Sequence, residues 1–480
     1  MAYFRRGLPQ TSCSKHASDD RGFKEWAANA CREQPVLSDP AYLDFARKTI
    51  LKEFRLGWDY TYNSFSESFV PRASARFERF VSASDWWREK CNWKQFQSYL
   101  RGKECPVLQG KKLRYKGIES VGKVRKMGIP TCDWDLLGPL HKTMYQYIAS
   151  KEWVLRGPPT EGRLNRSLKG EWQTSVDLVS ATDGLRQDVT QVMLSAALSK
   201  ASIVPGRIRA MACEYQVPTC RDLEVNHGQN MGTYLSFPLL CLHSFVAAKW
   251  ATRDVEASIL VNGDDTLISC SRRVENSDYP EGYQINEKKT ARSKNFAEVN
   301  STQFLRERRG WRKVRCLRRG AYLSGLEAEI HMASVCSQAG TKWQDALARA
   351  SNLGGFLPSQ LGMNLKIPSV YRREIRTKSG RHRTFSSQRK YDSRFDLIES
   401  PPTSGDRLAF CVDLFQNGRE SGDLVRTVVD AYPYSGKFPL SREPYWLYHR
   451  LKELKEVKRV RKQVYCYSQF FNAVEESEFF

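Results

Sequence analysis

Gly263-Asp264-Asp265, within Ala257–Cys270 (ASILVNGDDTLISC), places two adjacent carboxylates between two short apolar, β-prone runs. Ser258–Val261 predicts one strand and Thr266–Ile268 the next, joined by a tight hairpin. Gly263 permits the backbone angles such a turn needs. The two acids would project from the hairpin tip, where like charges either share a proton or bind a cation. Taken alone, Asn-Gly-Asp is also ordinary turn chemistry. A third carboxylate upstream narrows the choice. In Thr174–Leu185 (TSVDLVSATDGL), Ser175–Val179 predicts a buried strand. Ser180–Thr182 then supplies N-cap chemistry for a helix running to about Ser199. Asp177 falls within or at the end of that strand, a costly place for an unpaired charge. One acid on a strand beside a two-acid hairpin is the set that a pair of Mg²⁺ ions needs. Mg²⁺ takes hard oxygen ligands, few of them from protein, with substrate phosphates completing the shell. Two such ions roughly 3.5–4 Å apart activate an attacking hydroxyl and stabilise a leaving oxygen. The chemistry implied is nucleotidyl transfer.

Four further segments give this pattern a family likeness. Asp177-Leu-Val-Ser-Ala-Thr-Asp183 resembles motif A of viral RNA-dependent RNA polymerases, in the five-residue-gap form of the mitovirus, narnavirus, ourmiavirus and RNA-phage group. Gly228-Gln-Asn-Met-Gly232-Thr-Tyr-Leu-Ser236-Phe-Pro-Leu-Leu-Cys-Leu resembles that group's motif B, and Asn262-Gly-Asp-Asp265 its motif C. Asn286-Glu-Lys-Lys289-Thr290, followed by Glu298-Val-Asn-Ser-Thr302, resembles motif D and its trailing segment. Trp153-Val-Leu-Arg156-Gly157 is similar to a stretch of ourmiavirus-like (botourmiavirus) polymerases. The likeness covers roughly residues 120–325.

The resemblance implies an α+β fold of the right-hand polymerase type, with fingers, an antiparallel-sheet palm and a thumb. Residues 1–165 would be the N-terminal region and fingers. Residues 166–335 would be the palm, with a fingers insertion at about 200–226, and 336–480 the thumb and a C-terminal basic region. The implied partners are an RNA template, its product duplex and NTPs, and the implied setting is the host cytoplasm of a positive-strand RNA virus. The implied cofactor is a pair of Mg²⁺ ions, with Mn²⁺ able to take the same sites. Asp177 and Asp264 would be metal ligands, and Asp265 would assist them. Asp183 would point at the incoming ribose, with Ser236 holding it; Ser236 as a plain N-cap is the competing reading. Lys123, Arg125 and Lys126 look like motif F, which neutralises the nucleotide's phosphates, against the alternative of a solvated basic strand. Lys289 resembles the motif D lysine, a general acid for departing pyrophosphate, with Lys288 as the fallback. Gly228 and Gly232 would let a loop approach a template or nucleotide backbone. Trp153 and Arg156 receive no chemical role. One departure matters: Leu240 stands where other RNA polymerases carry an Asn four residues after the motif B hydroxyl. That weakens the ribose network and leaves the strictness of NTP over dNTP selection open.

Two other readings use the same residues. A reverse transcriptase also uses an Asp plus Asp-Asp palm, but usually places a bulky side chain where Asp183 stands. A non-catalytic RNA-binding protein would explain the basic runs, but not three carboxylates at this spacing.

The elements that must position these residues follow from pattern. Asp39–Leu56 and Phe77–Leu100 read as helical, and Lys111–Gly128 as basic and β-like. Asp133–Ala149 predicts an amphipathic helix with Leu136, Leu137, Leu140, Met144 and Ile148 near one face. Gly157-Pro-Pro159 breaks the chain, and Lys200–Asn226 loops out between the segments that resemble motifs A and B. Phe237–Ala248, interrupted by His243 and Ser244, is too short to span a bilayer and predicts a buried helix. Lys342–Leu353, Ser421–Ala431 and Tyr445–Val464 are candidate C-terminal helices.

The chain has 480 residues, long for one compact domain, and a formal charge of +23. That charge is clustered. Lys111–Lys126 carries seven basic residues against one acidic, Arg306–Arg319 eight against one, Arg372–Arg394 nine against two, and Lys452–Lys462 six against two. Surfaces of this kind suit a polyanion, although a basic run can also be a solvated face. The thirteen cysteines form no paired CxxC pattern and fit a reduced interior. His227 and His243 read as helix-face or core residues. Met1–Arg6 leads into polar sequence, so no signal peptide is expected. No GxxxxGK[ST] loop occurs, which argues against a fused helicase.

Overall fold

A computed structural model of the chain describes residues 20–32, 37–71, 77, 81–120, 123–157, 159–179, 181–314, 411–412 and 415–416. The chain divides into two compact units, Ser12–Val314 and a second made of Met1–Thr11 with Arg315–Phe480. The described residues of the second unit are short helical pieces in which Cys411 and Phe415 are buried. The expected C-terminal helices and the runs Arg372–Arg394 and Lys452–Lys462 lie outside the described residues, as do 315–319 of Arg306–Arg319. Described parts of 1–165 and 166–335 belong to the same compact unit.

That unit is a mixed α+β body built on antiparallel pairing. Its central sheet has the order β6-β7-β3-β8, from β3 (Trp172–Val176), β6 (Ala257–Asn262), β7 (Asp265–Cys270) and β8 (Ala291–Ser293). β7 pairs with β6 from Ala257↔Cys270 to Asn262↔Asp265 and with β3 from Trp172↔Cys270 to Val176↔Thr266. Thr266 to Cys270 are buried without interruption, because both faces of the sheet are covered. On one face lies the helix Ser236–Ala251, apolar nearly all round and buried along most of its length, as Phe237–Ala248 predicts. Beyond the sheet, Leu155, Leu164, Leu168, Leu260, Leu267, Ala297, Val299, Phe304 and Trp311 form one apolar cluster. It joins the central sheet to a three-stranded sheet of β9 (Phe296–Val299), β10 (Thr302–Glu307) and β11 (Gly310–Lys313).

A second four-stranded sheet carries the expected basic β segment. β1 (Lys112–Ser120) and β2 (Lys123–Pro130) pair antiparallel from Leu113↔Pro130 to Ser120↔Lys123. The segment expected to loop out does more than that. It forms a helix, Gly206–Glu214, and a small hairpin of β4 (Thr219–Cys220) and β5 (Leu223–Glu224), whose β4 runs parallel to β1. The helix Asp20–Ala30 packs on this sheet, with Phe23 and Trp26 ring centroids 5.6 and 5.5 Å from that of Tyr115.

Several boundaries differ from expectation for identifiable reasons. The helix expected to run on to Ser199 is broken into Ala181–Gly184 and Gln187–Ser199. Arg186 between them is extended and bridges to His227, and the Gly228 amide donates to the Leu185 carbonyl at 2.7 Å. β3 ends at Val176, leaving Leu178 in an isolated bridge to Ile285. Asp133–Ala149 starts as a 3-10 turn, Cys132–Leu137, and becomes α-helical over Gly138–Ala149, where Pro139 suits the first turn. All five of its expected apolar residues are buried. Phe77–Leu100 divides into Ala83–Lys90 and Trp93–Leu100, because Asn92 and Gln95 form a reciprocal cap that starts a new helix. Among the described residues no helix is long and apolar enough to cross a membrane.

Candidate active site at the Gly-Asp-Asp hairpin

The β6–β7 loop has two residues, Gly263 and Asp264, between the paired Asn262 and Asp265. Gly263 takes φ +63°, the positive angle that the first loop position of a type II′ hairpin requires. The turn is fastened from below. The Gly263 amide donates to Cys241 Sγ at 3.3 Å, and Ser244 Oγ donates to the Gly263 carbonyl at 2.7 Å. A Cβ on Gly263 would meet Phe237 at 3.2 Å, so the buried helix fits the turn closely. Asn262 Nδ2 donates to the Leu155 carbonyl at 3.0 Å, and Val261 bridges in parallel to Val154. This last contact gives Trp153-Val-Leu a structural role. The Trp153 ring also stacks on Phe245, with centroids 4.1 Å apart.

Asp264 is exposed at the tip of the hairpin, yet the protein around it holds its carboxyl above the ordinary carboxylate range. Partial desolvation by the surrounding protein is the main cause and the negative charge of Asp177 adds to it, while Arg125 and Lys289 pull the other way. Asp177 follows the last residue of β3, beside β7. Its amide donates to Thr290 Oγ1 at 3.2 Å and its carbonyl accepts from the Asn286 amide at 2.8 Å. Its Oδ2 accepts from Asn286 Nδ2 and from Lys289 Nζ, both at 3.0 Å. Of the adjacent lysines, Lys289 is therefore the one at the carboxylates.

Asp183, in the short Ala181–Gly184 helix, is also pushed above its ordinary range by burial, partly offset by the charge of Lys126. Thus the charge of Arg125 acts on Asp264 and that of Lys126 on Asp183, while Lys126 Nζ itself stands 3.7 Å from Glu25. The Lys123 side chain lies outside the described residues.

The glycine loop lies against the same groups. Gly228 has φ +81°, and a Cβ there would stand 2.9 Å from the Thr182 carbonyl oxygen and 3.0 Å from that of Asp183. Gln229 N donates to the Thr182 carbonyl at 2.5 Å, and Gln187 Nε2 donates to the Gly228 carbonyl. Gly232, at φ +101°, abuts Met127 and the Gly128 carbonyl of β2. Ser236 opens the helix but is not its N-cap. Leu235 takes that place in the left-handed region at φ +70°, its amide donating to His141 Nδ1 at 3.0 Å. Ser236 Oγ makes no hydrogen bond among the described residues, so the cap reading is corrected. Leu240 packs beneath the turn, in its apolar floor, where a Cβ on Gly263 would stand 3.6 Å from the leucine side chain.

His243 is a core residue, as expected. It is fully buried, with Nε2 2.8 Å from Thr190 Oγ1 and Nδ1 2.7 Å from Tyr283 OH, and burial pushes its pKa down to about 3. Tyr283 continues to Tyr42 at 3.0 Å, and Gln229 Nε2 donates to Thr190 Oγ1 at 2.9 Å. This buried chain ties the glycine loop to the helix Pro40–Glu53. His227 is also buried, and desolvation lowers its pKa to about 4.

Asp177 and Asp264 are the side chains that could hold a divalent cation. Two carboxylates that repel each other suit a hard ion that takes few protein ligands. Asp265 stands next to them at the start of β7. Among the described residues no three His, Cys, Asp or Glu side chains gather as a metal-holding cluster, so the expected set of three carboxylates is not drawn together as one. Asn286 and Thr290 contact Asp177, and sequence reasoning, which quoted both within the motif D resemblance, gave them no role. Their signal was the spacing from Lys289, which puts Asn286 one turn before it. Comparison with protein-family models and with curated proteins finds no match.

Proposed function

We propose that the chain is an RNA-dependent RNA polymerase of an ourmiavirus-like, positive-strand RNA virus. The observation that carries this is one arrangement: Lys289 Nζ bonds Asp177 at 3.0 Å and the charges of Asp177, Lys289 and Arg125 act on Asp264 at the sheet end, while Lys126 and the Gly228 loop stand against Asp183 of the same segment as Asp177. In this reading the β6-β7-β3-β8 sheet is the palm and the β1–β2 hairpin belongs to the fingers. The growing strand's 3′-OH attacks the α-phosphate of an NTP in line. Two Mg²⁺ ions on Asp177 and Asp264, assisted by Asp265, would lower the hydroxyl's pKa and neutralise the triphosphate. Arg125 and Lys126, with Lys123 on the same strand, bind the phosphates. Asp183 accepts the ribose 2′-OH, and Ser236, with a free hydroxyl, is available to the same contact. Lys289 stands ready to give a proton to departing pyrophosphate. Positioning and charge stabilisation supply most of the rate.

Primer extension with the purified chain, defined RNA templates and separate NTP and dNTP mixtures tests the proposal. Wild type should extend with NTPs on RNA. Asp264→Asn should lose at least ~10³-fold in incorporation, about 4 kcal/mol of barrier, with template binding largely kept. Activity of that variant near wild type at saturating Mg²⁺, or extension with dNTPs alone, would reject the assignment.

A further inference from the structure

One residue without an assigned role holds Asp177 at two points. The Asn286 amide donates to the Asp177 carbonyl, and Asn286 Nδ2 donates to Asp177 Oδ2. A carboxylate only accepts, so the NH₂ end of the Asn286 side chain must face it. The turn that carries Asn286 is itself well fixed. Lys289 N and Thr290 N both donate to the Asn286 carbonyl, at 3.0 and 2.8 Å, and Val179 N donates to the Gln284 carbonyl at 2.8 Å. Both donors on the carboxylate, Asn286 and Lys289, use the same oxygen, Oδ2. Oδ1 takes no hydrogen bond among the described residues. Asn286 differs from Lys289 in being neutral, shorter and half-buried, so it can remain while a cation comes and goes.

We infer that Asn286 is a positioning residue: its side-chain amide pins Oδ2 of Asp177 and thereby keeps Oδ1 turned out as the oxygen offered to a divalent cation. Lys289, on the same Oδ2, neutralises the carboxylate when no cation is present and competes with one. The inference rests on the metal reading of Asp177 and Asp264. The partners of a ligating carboxylate typically change metal affinity by roughly 10–100-fold when removed.

The test is Mn²⁺ affinity of the full chain, measured by the loss of the free-ion electron paramagnetic resonance signal, without nucleotide or RNA. Asn286→Leu keeps bulk and the backbone bond but removes the donor; it should weaken Mn²⁺ binding by about tenfold. Asn286→Ser, too short to reach Oδ2, should do the same and serves if leucine is not accommodated. Lys289→Ala should strengthen binding. Asn276→Ala removes the bond from Asn276 Nδ2 to Glu287 Oε1, which fastens the same turn without touching Asp177, and should leave affinity within about twofold while lowering the Tm. Unchanged Mn²⁺ affinity in both Asn286 variants overturns the inference. So does an equal loss in Asn276→Ala, which would make turn packing the cause. Wild-type binding that is absent, or indifferent to Asp264→Asn, overturns the metal reading and this inference together.

Discussion

Asp183 is a charged group placed where burial disfavours charge, and only Lys126 offsets it. The sign of its effect on stability follows. A folded-state pKa above the unfolded value means that the folded chain holds the proton more tightly. The stabilisation is complete below the unfolded value, about 3.9, and is lost as pH rises through the folded pKa. Asp183→Asn should therefore have a higher Tm than wild type at pH 7. The gain should vanish as pH falls below about 4, where both side chains are neutral. Thermal melts at matched ionic strength across that range check it. A constant difference at all pH values would mean that Asn gains or loses a contact and that charge is not the cause.

At the scale of elements, the site depends on close backbone approach. The Gly228 loop leans on the Ala181–Gly184 helix with no room for a methyl group. Gly228→Ala should displace Asp183, costing about 1–3 kcal/mol in stability and most nucleotide incorporation. Gly157→Ala is the control. Gly157 has a similar φ of +73° but nothing within 4 Å of an added Cβ, so it should cost about 1 kcal/mol and leave incorporation intact. Comparable losses of activity in both would remove the contact from the explanation. The sequence showed part of this. The Ala257–Cys270 hairpin was legible because alternate readings of an apolar-turn-apolar stretch are few, and both strands came within a residue or two. The buried helix beneath it was legible from its unbroken apolar run. The break at Leu185–Arg186 was not, because local helix propensity favours continuation. A long-range bridge to His227 decides it, and such a partner has no local trace. Asn286 stood within the motif D resemblance, but its contact with Asp177, 109 residues away, was hidden for the same reason.

At the scale of the whole molecule, the +23 charge divides by place. Arg125 lies by the carboxylates, whereas Arg306, Arg308, Arg309 and Arg312 are exposed along the β10–β11 hairpin. Arg125→Ala should raise KM for NTP and leave the salt dependence of RNA binding almost unchanged. Replacing the four hairpin arginines should weaken RNA binding and flatten the slope of log K against log salt by up to ~3 units, if most contact phosphate. Filter binding over a salt series, paired with NTP titrations, separates the two. A flattened slope in Arg125→Ala with unchanged KM would reverse the assignment.

The strand order has a consequence in the direction of synthesis. β3 is made early but sits inside its sheet, between β7 and β8, and both come later in the chain. As the chain leaves the ribosome, β3 has neither neighbour until residues 265–270 emerge, and its second edge waits for 291–293. For that interval its unpaired N–H and C=O groups form the kind of open edge that other strands add to. The same delay leaves Asp177 without Asn286 and Lys289, so the carboxylate pair can be set only after the last of these strands has arrived.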